Sequence, residues 1–318
     1  VLLLMILALG IKYRMGIKPQ MFTYLFLVLV LYLLINHKGT KLLYAIPIVF
    51  LLWANFHMGV LAGILLLGLY LLSEIYLYTK DRNQKILTPF VIFVLSLSAM
   101  LINPNFIDTY VYAISHTQMK LIDEIYEWYS PFNSNFISKV YVLIYFVFLL
   151  TSFVSIFKYY KEKNYFFVLL IIVFGIYSFK AVRFSTDFML ISFIPATLFL
   201  SNYAKRIFAG DNKSSVYYKT GLAGIFLLLI LNIPGGGTYK FIGMNSVFGV
   251  GIYEETFPVK MYNFAKNEKV NEIGNRPFQA FDNGGYFMWT FYGSKNFVDS
   301  RNLNDSIYFT FKNIFNKN

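Results

Sequence analysis

V-Y-V-L-I-Y-F-V-F-L-L-T-S-F-V-S-I-F, residues 140–157, is a run without a single charge, closed on its two sides by Lys139 and Lys158. Its apolar residues fill every helical phase rather than every second position. A run of this length therefore suits a helix crossing about 30 Å of hydrocarbon better than a strand. Residues 22–35 and 221–233 repeat the pattern, with short clusters of Lys, Arg and Asn between the runs. The spacing predicts nine spans, at 1–11, 19–35, 42–54, 58–78, 86–102, 140–157, 165–179, 184–200 and 220–233. The third is too short for a full crossing unless the turn from Asn55 to His57 lies inside the membrane boundary.

Composition points the same way. Hydrophobic residues make up 57% of the 318 and charged residues 14%, with a mean hydropathy of +0.55, whereas a soluble domain carries about 25% charged residues. Barrel strands would alternate apolar and polar residues, and these runs do not. The net charge of +12 sits in short loops between apolar runs rather than on one face, so nucleic acid is not the expected partner. The chain has no cysteine, which excludes disulfides and thiolate metal sites. Because Val1 stands inside an apolar run, the chain is expected to be a fragment that continues upstream.

Lysine and arginine are retained on the cytoplasmic side of membrane proteins. Taking alternate loops, those at 38–41, 80–85, 158–163 and 205–219 hold twelve basic residues, and those at 12–18, 103–139 and 180–183 hold seven. The first set is expected in the cytoplasm. The acidic loop 103–138, with Asp108, Asp123, Glu124 and Glu127, is then expected outside, as is everything after Pro234. The fold predicted is an all-α polytopic membrane bundle over residues 1–233, followed by a small α/β extracytoplasmic domain over 234–318. In that domain a helix is expected at 258–266 behind Pro258. Strands are expected at 277–281 and 296–299, with a turn at Gly284-Gly285 and an apolar stretch at 286–291.

Candidate chemistry comes from polar groups where a membrane makes them costly, on the order of 3 kcal/mol for a charge at the bilayer centre. Lys12, Arg14 and Lys18, together with Lys180 and Arg183, are basic residues on the outer side. They fit capture of an anionic head group, for which arginine offers a planar fork. Alternatively, Arg183 pairs with Asp187 four residues on, or these cations snorkel to ordinary lipid phosphates. Asn55 and His57 interrupt an apolar stretch and are candidates for lining a polar cavity; alternatively Asn55 caps the next helix and His57 bonds a backbone carbonyl. In the outer loop, Asn103 precedes Pro104, and Glu127 stands beside Trp128. That carboxylate suits a base or a metal ligand, and the indole a surface for a sugar ring. Alternatively Trp128 anchors at the interface and Glu127 is a solvated charge. No phosphate-binding glycine loop, zinc-protease motif or serine-hydrolase elbow is present, which disfavours an ATP-driven transporter and a membrane zinc protease.

The order of Trp53-Ala54-Asn55-Phe56-His57-Met58-Gly59, Asn103-Pro104, Glu127-Trp128 and Arg183-Phe184 with Pro195 resembles uncharacterised bacterial members of the GT-C glycosyltransferase superfamily. These are multi-spanning enzymes that use polyprenyl-phosphate sugars. Gln279-Ala280-Phe281-Asp282-Asn283-Gly284-Gly285-Tyr286, followed by Phe297-Val298-Asp299-Ser300-Arg301-Asn302, resembles the soluble domain of the oligosaccharyltransferase catalytic subunit. Asp282 and Gly284 match the Asp and Gly of its Trp-Trp-Asp-Tyr-Gly acceptor-recognition segment, while Ala280 and Phe281 replace the two tryptophans. The resemblance implies transfer of a sugar from a polyprenyl-phosphate donor to a cell-envelope acceptor at the outer face of the cell membrane. It implies Arg183, Lys180, Arg14 and Lys18 for the phosphate, Glu127 as base, Asn55, His57, Asn103 and Trp128 for the cavity, and Asp282 for substrate. It also implies a catalytic Asp in the first outer loop, upstream of Val1. The residues do not decide the cofactor, a divalent cation being one option. A transporter or flippase for lipid-linked sugars is the alternative; it needs the head-group site without the base. Asp282, Asp299 and Arg301 are alternatively structural residues of the tail.

Overall fold

In the computed structural model the charge-free run 140–157 lies within a helix of residues Lys139–Lys161, and its outward face carries Leu143, Phe146, Leu150, Val154 and Phe157, all exposed. Its inward face carries Tyr141, Tyr145, Phe148, Ser152, Ser155 and Tyr159. The helix is thus more apolar outside than inside, the inverse of a helix facing water. The structure describes all residues except 1, 17, 38–39, 84, 134–136, 208–211, 238–239, 241–247, 253, 255–256, 274–276, 300–303 and 317–318. Arg301, a candidate structural residue of the tail, lies outside the described residues.

Each of the nine apolar runs contains a helix. In chain order the helices are α1 (Leu2–Ile11), α2 (Gln20–Asn36), α3 (Ile46–Phe56), α4 (Val60–Lys80), α5 (Leu87–Met100), α6 (Asp108–His116), α7 (Lys139–Lys161), α8 (Tyr165–Ser178), α9 (Val182–Ile207) and α10 (Asn212–Leu231). Three of them, α4, α7 and the part of α9 over Val182–Tyr203, are long and apolar enough to cross a membrane, and the other apolar helices are shorter. The short run at 42–54 is a 3-10 turn, Leu42–Ala45, leading into α3 with Pro47 in its first turn, where proline costs no hydrogen bond.

The chain divides into two compact units. The first comprises Val1–Ser115 and Ile125–Val216; the second comprises His116–Glu124 and Tyr217–Asn318. In the first, α9 packs against α1, α2, α7 and α8. Its fully buried Ser185, Thr186, Ser192 and Ala196 are small, which lets neighbouring helices approach where no water is available to drive association. Gly10 at the end of α1 serves the same purpose: a Cβ there would press on Ile144 and Met189.

In the second unit the expected α/β tail is corrected: among the described residues it contains helices and no strand. Helices α11 (Val259–Asn267), α12 (Val270–Ile273), α13 (Gly284–Thr290) and α14 (Asp305–Phe315) make it up. The stretches expected as strands at 277–281 and 296–299 are joined by a side chain instead of a backbone ladder. Gln279 Nε2 donates to Asn296 Oδ1 and to the Val298 carbonyl, each at 2.7 Å. The Gly284-Gly285 pair opens α13 rather than a turn. Gly284 is required there because a Cβ would meet the Val298 carbonyl at 2.8 Å. Asp299 is buried and accepts from Asn296 Nδ2 at 2.7 Å.

Residues 116–124 of the long loop belong to this unit. Asp305 accepts the backbone N–H groups of Lys120 and Leu121, both at 2.9 Å. Glu124 accepts from Tyr308 Oη at 2.9 Å and pairs with Lys312 Nζ at 2.6 Å. The Leu121 and Lys120 amides hold Asp305 below the usual carboxylate range, and Lys312 does the same for Glu124. The clasp is thus present at neutral pH and lost as pH falls through those lowered values. Asp305→Ala is expected to speed hydrogen exchange at the Lys120 and Leu121 amides and to open Lys120 to trypsin. Unchanged exchange would remove the clasp from the account.

Candidate functional site

The N-terminal end of α9 is fastened to the loop 103–138. Val182 N–H donates to the Tyr129 carbonyl at 2.9 Å, Tyr141 Oη donates to the Val182 carbonyl at 3.2 Å, and Ser130 Oγ donates to the Phe179 carbonyl at 3.3 Å. These bonds set the 3-10 turn Tyr126–Trp128 against Arg183. The Arg183 guanidinium lies over the Trp128 ring at 4.5 Å and near Phe184 at 5.7 Å, while Trp128 meets Phe184 edge-on. Among the described residues Arg183 makes no hydrogen bond and no ion pair within 4 Å, Asp187 included. An aromatic face orients the cation yet leaves its N–H donors unspent.

The preceding residue, Glu127, reaches the other arginine. Arg14 is only 5% exposed; its Nη1 pairs with Glu127 Oε1 at 2.5 Å and its Nη2 donates to Gln20 Oε1 at 2.8 Å. Arg14 Nε is buried without a partner among the described residues. Lys18, largely exposed, pairs with the same Glu127 oxygen at 3.2 Å. Burial raises the Glu127 carboxyl, but the hydrogen bond and charge of Arg14, followed by Lys18, outweigh it and hold the group below its usual range. A carboxylate held low by two cations is a weak proton acceptor. Because Glu127 and Trp128 are adjacent, their partners Arg14 and Arg183 stand at the same end of the bundle.

His57 lies in the turn between α3 and α4, where the charges of Arg183, Arg14 and Glu127 all act on it. Its Nδ1 accepts from the Gly59 N–H at 3.0 Å and from Thr23 Oγ1 at 2.7 Å. The Thr23 oxygen in turn accepts from Trp53 Nε1 at 3.0 Å. Two donors at Nδ1 assign the ring proton to Nε2. Burial first, then the two arginine charges, lower the imidazole to about 4, so His57 is neutral at physiological pH and presents an N–H donor.

Asn55, Asn103, Lys180 and Asp282 are not part of this constellation. Asn55 Nδ2 donates to the carbonyls of Leu51 and Ile102, each at 2.8 Å, and ties α3 to the end of α5 instead of capping α4. Asn103 shapes its own turn: Nδ2 donates to the carbonyls of Met100 and Phe106, and Oδ1 accepts from Asn105 N–H and Thr109 Oγ1. Lys180 is exposed. Asp282 sits in the 3-10 turn Phe281–Asn283 of the second unit, exposed and with no hydrogen bond among the described residues.

Four residues the sequence reading did not single out as site residues line up here. Gln20, Thr23 and Tyr24, at helical spacing in the first turns of α2, are buried, and Gln20 Nε2 donates to Tyr24 Oη at 2.6 Å. Asp187, 8% exposed on α9, feels the charges of Arg183 and Arg14 through space. The available signal was a lone acidic residue in an apolar helix, which is costly enough to need a reason. Among the described residues no group of three or more His, Asp or Glu is placed to hold a metal ion. No protein-family model, curated protein or solved structure matches the chain.

Proposed function

We propose that the chain acts as a polytopic membrane glycosyltransferase, taking a sugar from a polyprenyl-phosphate donor at the outer face of the cell membrane and passing it to a cell-envelope acceptor. The observation that carries this reading is the state of Arg183: a guanidinium stacked on Trp128, with no acceptor among the described residues, beside a second, buried arginine whose Nε is orphaned. A partly exposed guanidinium whose N–H donors are not spent on protein acceptors is available to an anion. A lipid phosphate has the charge, the oxygens and the membrane location to be that anion. In this reading Arg183 holds the phosphate, and the buried charge of Arg14, kept in place by Glu127 and Gln20, helps to offset the charge that develops as the sugar departs. The Nε2–H of His57 contributes a neutral donor, and Trp128 orients Arg183.

Topology supports the same reading. The loop distribution of Lys and Arg favours the outside for residues 103–138. Between that loop and the tail run four helices, α7 to α10. An even number of crossings returns the tail to the loop's side, as the Asp305 clasp requires.

A second reading, a transporter or flippase for lipid-linked sugars, is favoured by one observation: Glu127, the carboxylate expected as base, is occupied by Arg14 and Lys18. The two readings separate on bond cleavage. Full-length protein in vesicles, supplied with polyprenyl phosphate carrying a labelled sugar, is expected to release polyprenyl phosphate and deliver the label to an acceptor. Movement of intact labelled lipid between leaflets would establish the transporter instead, and absence of any lipid binding would end both readings.

A further inference from the structure

Ile125 stands between two sets of contacts that grip the chain on either side of it in sequence. Upstream, each oxygen of Asp305 accepts one backbone N–H, from Lys120 and from Leu121, and each oxygen of Glu124 has its own partner, Tyr308 or Lys312. Asp305, Tyr308 and Lys312 are three and four residues apart, so they line one face of α14. Downstream, Glu127 pairs with Arg14 and Lys18. Trp128 carries the Arg183 guanidinium at 4.5 Å, and the Tyr129 carbonyl accepts the Val182 N–H at 2.9 Å. Ile125 is extended, with φ −93° and ψ 118°, and its carbonyl accepts the Trp128 N–H at 2.9 Å. The one residue that joins Glu124 to the turn Tyr126–Trp128 is thus itself bonded into that turn, and the chain has no spare length there.

We propose that Asp305 is a positioning residue of the arginine site: by fixing residues 120–124 it fixes the turn that begins two residues after Glu124, and with it the aromatic face on which Arg183 lies. The proposal rests on the reading of Arg183 as the phosphate-binding group. Ordering a long loop costs conformational entropy, and that cost weakens ligand binding wherever the free protein leaves the loop unordered. The clasp by α14 orders residues 120–124 before a donor arrives. Asp305 acts through Trp128 and needs no contact with the donor, so its effect falls on donor affinity and not on the rate at which bound donor reacts.

The test compares full-length wild type, Asp305→Ala, Lys312→Ala, Trp128→Ala and the double variant Asp305→Ala with Trp128→Ala, in vesicles, by amide hydrogen exchange and by titration with polyprenyl monophosphate. Asp305→Ala is expected to speed exchange at the Trp128 and Val182 amides as well as at Lys120 and Leu121, with exchange in α4 unchanged. It is also expected to weaken lipid binding by about threefold to tenfold, the effect of losing one ordering contact. Lys312→Ala removes the ion pair of Glu124 and leaves Asp305 in place, and is expected to move both readouts the same way by less. With Trp128 already replaced, Asp305→Ala is expected to change affinity by less than about twofold, because the face through which it acts is gone. Faster exchange at Lys120 and Leu121 with Val182 exchange and lipid affinity unchanged overturns the proposal and leaves the glycosyltransferase reading standing. Additive losses of affinity in the double variant do the same. Wild-type protein that does not bind polyprenyl monophosphate overturns the glycosyltransferase reading and the positioning role together.

Discussion

Arg183→Ala is expected to weaken binding of polyprenyl monophosphate by about 100-fold or more while leaving the protein folded. The estimate follows from two charge-assisted hydrogen bonds to one phosphate, each contributing about 1.5–3 kcal/mol, set against about 1.4 kcal/mol per tenfold in affinity. The effect concentrates on the ligand because Arg183 does little for the protein itself. Its contacts among the described residues are the ring of Trp128 and the edge of Phe184, and a partly exposed cation–π contact contributes about 0.5–1 kcal/mol. Arg183→Lys keeps the charge but loses the planar fork and the stack, so an intermediate loss of roughly tenfold is expected. Titration of purified protein with the lipid in detergent micelles, with thermal midpoints measured in parallel, checks both substitutions. An affinity for Arg183→Ala within threefold of wild type would remove Arg183 from the phosphate site and, with it, the observation on which the function rests.

Arg183 and Arg14 stand out in the sequence as candidates for a physical reason: they are cations in the less basic set of loops, and that break in the charge distribution is visible from the residues alone. What Arg183 touches was not legible. An aspartate four residues on makes an intrahelical pair the local expectation. The guanidinium turns instead to Trp128 in a distant loop, a contact set by how the Tyr129 carbonyl holds the start of α9. The sequence leaves a pair with Asp187 open as the alternative for Arg183, and only the structure shows that this carboxylate has no hydrogen bond or ion pair among the described residues. Asn55 and Asn103 show a second ambiguity. A polar residue at a break between apolar runs looks the same whether it faces a cavity or satisfies freed backbone carbonyls, and both spend their amide donors on carbonyls. In the tail, the run 286–291 is too short for periodicity to separate strand from helix. The paired glycines before it suggested a turn, whereas Gly284 is small because Asp299 and the Val298 carbonyl lie against it. The long charge-free runs carried no such ambiguity, because their length alone excludes strands.

Trp53→Ala is expected to cause the largest loss of stability in the first unit. The side chain is 0% exposed, lies among Phe26 and Phe50, and donates to Thr23, which in turn holds His57. If the surroundings of this helix seam are lipid, the transfer part of the cost largely vanishes, because lipid tails are as apolar as the core. The cavity and the lost contacts remain, and for a truncated tryptophan they amount to about 3 kcal/mol. Trp53→Phe keeps most of the volume and loses the hydrogen bond, for about 1 kcal/mol. Gly63 supplies the decisive control. It packs flat against the Trp53 six-membered ring, and a Cβ there would overlap ring atoms, so Gly63→Ala alone is destabilising by about 1–3 kcal/mol. With the ring gone the same methyl group enters empty space. The double substitution Trp53→Ala with Gly63→Ala is therefore expected to be no less stable than Trp53→Ala alone, a non-additivity confined to residues in contact. Thermal midpoints of the four proteins in detergent, read by loss of the monodisperse peak, check the cycle. Additive losses would mean that α3 and α4 do not meet through Trp53 and Gly63, and His57 would then lose the support that orients its Nε2–H.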